Sequence, residues 1–171
     1  MAATSSSVRN AGAKNMVTCA RGFLEKLDLA DFTRGAFAEV LDVKTNELRA
    51  AFLTKLPADA ECWGLARKVL NLYLRDAYYN RFLCEHYRLN EIAAELETPL
   101  DGDADKVLRR YFWANQRRAL PTWPRLKGEK EDYQAHRDAA KEFAEYHCGE
   151  FYPVHADLLL YNAVDREDAQ G

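Results

Sequence analysis

Apolar residues recur along this chain at spacings of three and four, and the strict alternation of a half-buried strand is hard to find. That period predicts helices throughout. A first is expected over about Ala13 to Leu27, with Val17, Ala20, Phe23, Leu24 and Leu27 on one face. A second, from Asp31 to Leu41, gathers Phe32, Phe37, Val40 and Leu41 and is expected to break over Asp42 to Thr45. Thr45, a capping residue type, then starts a third that ends ahead of Pro57, because proline disfavours helix at the residue before it. The stretch from Ala58 to Arg88 carries apolar side chains around most of its circumference, including Trp63, Leu70, Leu74 and Phe82, which is the pattern of a helix at the centre of a bundle. Beyond it the pattern predicts a short helix over Asn90 to Leu96, a turn from Thr98 to Asp103, a helix from Ala104 to Arg118, an extended stretch bracketed by Pro121 and Pro124, a polar helix over Lys130 to His147, and a last apolar helix after Pro153.

The fold class expected is therefore all-α, a single compact helical bundle of residues 1–171 around a central apolar helix, with residues 1–10 and 165–171 as loose ends. Composition agrees with that expectation. Hydrophobic residues at 48% and charged residues at 30% suit a globular domain rather than a disordered chain, and the 8 glycines and 5 prolines leave long uninterrupted helical runs. Arg, Lys, Asp or Glu interrupts every apolar run before it could cross a bilayer, and the first ten residues lack the apolar centre of a secretory leader. No membrane contact and a cytoplasmic location are expected. The four cysteines, Cys19, Cys62, Cys84 and Cys148, form no C-x-x-C pair and are read as reduced thiols, mostly buried.

The candidate chemistry begins on the central helix. Lys68, Asn71 and Arg75 stand at i, i+3 and i+7 and share a face, where a cation is costly unless paired or used. Either they cross a polar seam, with Lys68 or Arg75 paired to a carboxylate such as Asp101 or Asp157, or Lys68 is a nucleophile. The segment Gly64-Leu-Ala-Arg-Lys68-Val-Leu-Asn, followed by Thr98-Pro-Leu-Asp101 at the head of the next long helix, resembles the helix-hairpin-helix DNA glycosylase superfamily over roughly residues 56 to 120. The long separation of Lys68 from Asp101 is most similar to the archaeal 8-oxoguanine glycosylase branch. The resemblance implies that Lys68 attacks the sugar C1′ of a damaged nucleotide while Asp101 assists departure of the base. No cofactor is expected. In place of the superfamily's glycine-rich hairpin this chain has Leu56-Pro57-Ala58-Asp59-Ala60, with Gly64 as the nearest glycine, and Asp103 stands where members carry a basic or aromatic residue. Asp101 also suits a plain helix N-cap.

A second signal is the run from Lys106 to Gly128, which has no acidic residue. Its Arg109, Arg110, Arg117, Arg118, Arg125 and Lys127, interleaved with Tyr111, Phe112, Trp113 and Trp123, are the expected nucleic-acid contacts, since cations neutralise phosphates and exposed rings stack on unpaired bases. DNA is favoured over RNA as the partner. The other reading is a solvated basic face whose rings point inward.

Two further readings stay open. Arg81-Phe-Leu-Cys-Glu-His86 has an R-x4-H spacing that resembles the motif of HEPN-type ribonucleases, which implies His86 as a proton carrier and Arg81 as a stabiliser of the phosphate in a metal-independent, dimeric enzyme. A non-catalytic binding or adaptor protein is the third. His155-Ala-Asp157 and His147-Cys148 lack the four spaced ligands of a structural zinc site, so no metal is expected.

Overall fold

The computed structural model describes residues 13–56, 61–122, 124, 130–148 and 152–168, and the described residues are all-α, without a strand. The helices are α1 (Ala13–Leu24), α2 (Ala30–Arg34), α3 (Phe37–Leu53), α4 (Trp63–Tyr79), α5 (Arg81–Tyr87), α6 (Gly102–Gln116), α7 (Gln134–Cys148) and α8 (Pro153–Asp168). Short 3-10 turns over Leu89–Ile92 and Lys130–Tyr133 complete the described elements. Residues 1–10 and the end of the tail lie outside the described residues, whereas α8 runs through Asp165 to Asp168, where a frayed tail was expected.

Two apolar clusters form, not one. The first collects α1 to α5 around Phe32, Leu41, Leu48, Phe52, Leu70 and Leu74. The second joins α6, α7 and α8 through Leu108, Phe112, Phe143, Ala144 and Leu160. Helix α4 sends Leu65, Ala66, Val69, Leu70 and Leu74 into the first cluster. Its other face carries Arg67, Lys68, Asn71 and Arg75 toward groups from α3, the segment ahead of α6, and α8.

The helix boundaries depart from the periodicity in three places, each for a local reason. The expected break over Asp42 to Thr45 falls instead at Gly35, which is extended (φ −115°, ψ −176°). Thr45 is buried inside α3, where its Oγ1 donates to the Leu41 carbonyl at 2.6 Å and so satisfies its hydroxyl on the acceptor of its own helical amide. The long central helix ends at Tyr79 because Asn80 turns extended and its Oδ1 accepts from the Leu83 amide at 3.1 Å, capping the start of α5. That restart rotates Phe82, expected in the core, to 81% exposure. The stretch expected as a helix over Asn90 to Leu96 is only the first 3-10 turn. Cys19, Cys62 and Cys84 form no disulfide.

Candidate functional site

The polar face of α4 meets a carboxylate at each cation. Arg67 is the most enclosed. Its Nε donates to Glu97 Oε2 at 2.9 Å and its Nη2 to Glu97 Oε1 at 2.7 Å, while Nη1 reaches Asp42 Oδ1 at 2.8 Å and Thr45 Oγ1 at 3.1 Å. Asn71 Nδ2, one turn further, donates to Glu97 Oε2 at 3.0 Å. Lys68 Nζ donates to Asp101 Oδ2 at 2.9 Å, and Arg75 is shared by Asp157 and Asp76. The sequence left open which of Lys68 and Arg75 would pair with which of Asp101 and Asp157, and the structure pairs Lys68 with Asp101 and Arg75 with Asp157. The Arg67, Glu97 and Asp42 cluster was not anticipated, although Arg67 and Asn71 stand at i and i+4 and therefore had to share a face.

Asp101 is placed by two independent constraints. The preceding Thr98-Pro-Leu segment is buried, with Thr98 Oγ1 donating to the Pro153 carbonyl at 2.6 Å. Asp101 then caps α6, its Oδ1 accepting from the amides of Asp103 at 3.0 Å and Ala104 at 2.9 Å. One carboxylate oxygen is thus held by the helix start and the other faces Lys68.

The site's acids are driven apart in acidity. Burial pushes the Asp101 carboxyl up, but the Lys68 charge and the two capping amides outweigh it and hold the group below the usual carboxylate range. Glu97 behaves alike, its burial outweighed by Arg67, Arg137 and Asn71. Asp157 shifts the other way, because its burial and the nearby Asp101 charge exceed what Arg75 and Lys68 return. The arrangement can therefore keep an ionised carboxylate beside the Lys68 side chain, with a less acidic carboxyl close by.

Open space at Lys68 is small. A cavity of about 20 Å³ is bounded by Lys68, Gly64, Trp63, Asn71, Thr98 and Tyr133, enough for a water but not for a base. Gly64 serves this packing: a Cβ on it would overlap the Tyr133 hydroxyl and ring. Residues 57–60, the rest of the expected hairpin, lie outside the described residues. A wider groove of about 450 Å³ runs along the far side of the Arg67–Glu97 contact, between Phe37, Asp42, Lys130, Arg137 and Lys141.

The residues expected to touch nucleic acid divide into two sets. Arg109 is taken up internally, its Nε bonded to both Asp105 oxygens at 3.0 and 2.8 Å and its other nitrogens to the carbonyls of Leu120 and Pro121. Asp105 also lies 3.1 Å from Nε2 of the fully buried His136, which ties α6 to α7. Arg118 packs 4.1 Å over the Phe112 ring and bonds to Glu142 at 2.7 Å. Arg110 and Arg117 remain exposed, and Arg117 stands 5.9 Å from the ring of Trp113, itself 56% exposed. Phe112 is buried, and Tyr111 packs edge-on against Phe143. Trp123, Arg125 and Lys127 lie outside the described residues.

Arg81 and His86 are exposed on α5, where Arg81 Nε bonds to Glu85 at 2.9 Å. His86 borders a groove of about 510 Å³ with Arg34 and Arg88, and Arg81 is not part of its wall. His155 bonds through Nδ1 to the Tyr79 hydroxyl at 2.8 Å, and burial lowers its pKa. Among the described residues no three His, Cys, Asp or Glu side chains are grouped to hold a metal, and no helix is long and apolar enough to cross a membrane. Comparison with models of known families, with curated proteins and with solved structures finds nothing that matches this chain.

Proposed function

We propose that Lys68 and Asp101 form the reaction centre of a lysine-dependent DNA glycosylase and lyase that removes a damaged purine. The observation that carries this reading is the 2.9 Å contact between Lys68 Nζ and Asp101 Oδ2, two residues 33 positions apart. Asp101 is also more exposed than Lys68, at 37% against 13% of its side chain, so the pair is approached from the carboxylate side.

In the reaction, Lys68 attacks as the free amine after its ammonium proton passes to Asp101. A bond forms from Nζ to C1′, the C1′–N bond to the base breaks, and the base departs with that electron pair and takes up the proton. As the sugar opens, one Nζ proton passes to the ring oxygen, which leaves a protonated imine between Nζ and C1′. Once that proton has gone to the base, Asp101 is again a carboxylate and faces the positive charge on the opened sugar, and its lowered pKa suits that role. Extrusion of the nucleotide from the duplex is required for contact with Nζ.

Borohydride trapping on DNA carrying 8-oxoguanine or an abasic site tests the reading. A covalent adduct that Lys68→Gln abolishes is expected, with Asp101→Asn slowing base release while leaving DNA binding largely intact. An adduct that survives Lys68→Gln, or none on a panel of lesions, would sink it.

A second reading has its own support in the pairing of Arg67, Lys68 and Arg75 with carboxylates and in the narrow space at Lys68. On it the polar face is a seam that aligns the two apolar clusters, and the chain binds a partner without catalysis. A protein that binds DNA, forms no adduct and loses stability on Lys68→Gln would match it.

A further inference from the structure

Helix α6 is divided lengthwise. One side, with Val107, Leu108 and Phe112, is buried in the second apolar cluster. On the opposite side Lys106, Arg110, Trp113 and Arg117 stand at i, i+4, i+7 and i+11, one stripe on the helix surface, and all four are exposed, with Lys106 bonded to Asp103 at 2.7 Å. Trp113 is 56% exposed and belongs to neither apolar cluster, so its ring is open to a partner.

Arg117 is the second unusual feature. It closes α6 in the left-handed conformation, with φ 54° and ψ 25°. Glycine is the residue that usually occupies such a helix end, because a side chain there is strained. Among the described residues Arg117 has no carboxylate partner, and its guanidinium instead lies near the Trp113 ring. The fold holds a strained cation beside an exposed ring, whereas the neighbouring Arg109 and Arg118 are both engaged with carboxylates.

We infer that this stripe of α6 binds an unpaired stretch of DNA, with Trp113 stacking on a base and Arg110 and Arg117 meeting the phosphates on either side. Charge decides for a polyanion, and the ring decides for an unpaired strand. In a duplex both faces of every base are already stacked, while in a single strand a base is free to lie on an indole. The stripe begins one turn from Asp101, and Trp113 stands about 18 Å along the helix at the usual rise per residue. That span matches about five nucleotides at the stacked spacing. A strand held there would lead unpaired nucleotides toward Lys68, but the surface itself does not depend on base removal.

The experiment uses undamaged DNA, so that no catalytic step enters. Fluorescence anisotropy of a labelled single strand long enough to span α6, against its duplex, is measured with the whole protein at two salt concentrations. The single strand is expected to bind more tightly, and Trp113→Ala to weaken it about tenfold. Arg117→Gly is expected to weaken binding and to lower the slope of log affinity against log salt by about 0.7, the share of one phosphate contact. The same change relieves a left-handed side chain, so its melting temperature stays level or rises and misfolding cannot explain the loss. Equal affinity for strand and duplex, or parent-like binding by Trp113→Ala, would overturn the inference. So would concentration-dependent self-association that Trp113→Ala removes in a chain that binds no DNA. Single-strand binding without any borohydride adduct supports this surface and counts against base removal, so the two proposals fail separately.

Discussion

Arg67 and Glu97 face each other through two parallel contacts, Nε to Oε2 at 2.9 Å and Nη2 to Oε1 at 2.7 Å. Such a fork fixes orientation as well as distance. Arg67 is the neighbour of Lys68, and Glu97 stands one short turn ahead of Asp101, so the fork sets the register in which the amine and the carboxylate of the candidate site meet.

Arg67→Met leaves Glu97 largely enclosed without its main partner and is expected to cost about 3–5 kcal/mol. The double variant Arg67→Met with Glu97→Leu removes both charges and is expected to recover much of that loss. Urea unfolding of the parent, both single variants and the double variant gives the coupling. A double variant that loses as much as the two singles added together would show that the pair is not a coupled unit.

Stability is expected to fall in acid for a stated set of groups. Glu97, Asp101 and Asp42 have folded pKa values below their ordinary values of 4.5, 3.8 and 3.8, so the stability they contribute is complete above those values and is lost as pH falls through the lower folded ones. Asp157 has the opposite sign: its folded value is raised above 3.8, so its contribution is present below 3.8 and lost as pH rises through the folded value. Urea midpoints should hold near neutrality and decline on acidification below 4.5. Glu97→Gln should flatten the decline and Asp157→Asn should steepen it. A profile that Glu97→Gln leaves unaltered would refute the assignment.

The register of α4 and α5 separates two residues that look alike in sequence. Leu70 is fully buried and Phe82 is 81% exposed. Leu70→Asp places an unpaired charge in the first apolar cluster and is expected to prevent folding, whereas Phe82→Ser should change stability by no more than about 0.5 kcal/mol. Circular dichroism melts of the two variants check it, and a large loss from Phe82→Ser would place that ring in an interior.

Asp101 has a capping role and a proposed catalytic role, and two substitutions separate them. Asparagine still caps a helix and alanine does not, so Asp101→Ala should cost about 1 kcal/mol more than Asp101→Asn. Both should slow base release to a similar degree. If base release instead followed stability, with Asp101→Asn near the parent rate, the carboxylate would be a cap and nothing else.

The helical class, the position of most helices, the Asp101 turn and the polar face of α4 were all legible in the chain, because each follows from residues three or four apart or from a single capping side chain. Even the partners of Lys68 and Arg75 were among the options, since few carboxylates follow turns that return to the helix. Asn80 and Gly35 were less visible. Both override a continuous apolar pattern with one backbone conformation, and so Phe82 left the core and α3 ran unbroken past Thr45. Which cation meets which acid was decided only in three dimensions. Arg67 finds Glu97 and Asp42, and Arg109 turns onto Asp105 and two carbonyls while Arg110 and Arg117 stay outside. A basic run of sequence gives the same signal for all of them. Burial and the path of the returning chain assign each charge its partner, because the cost of an enclosed charge depends on what lies within a few ångströms and not on its neighbours along the chain.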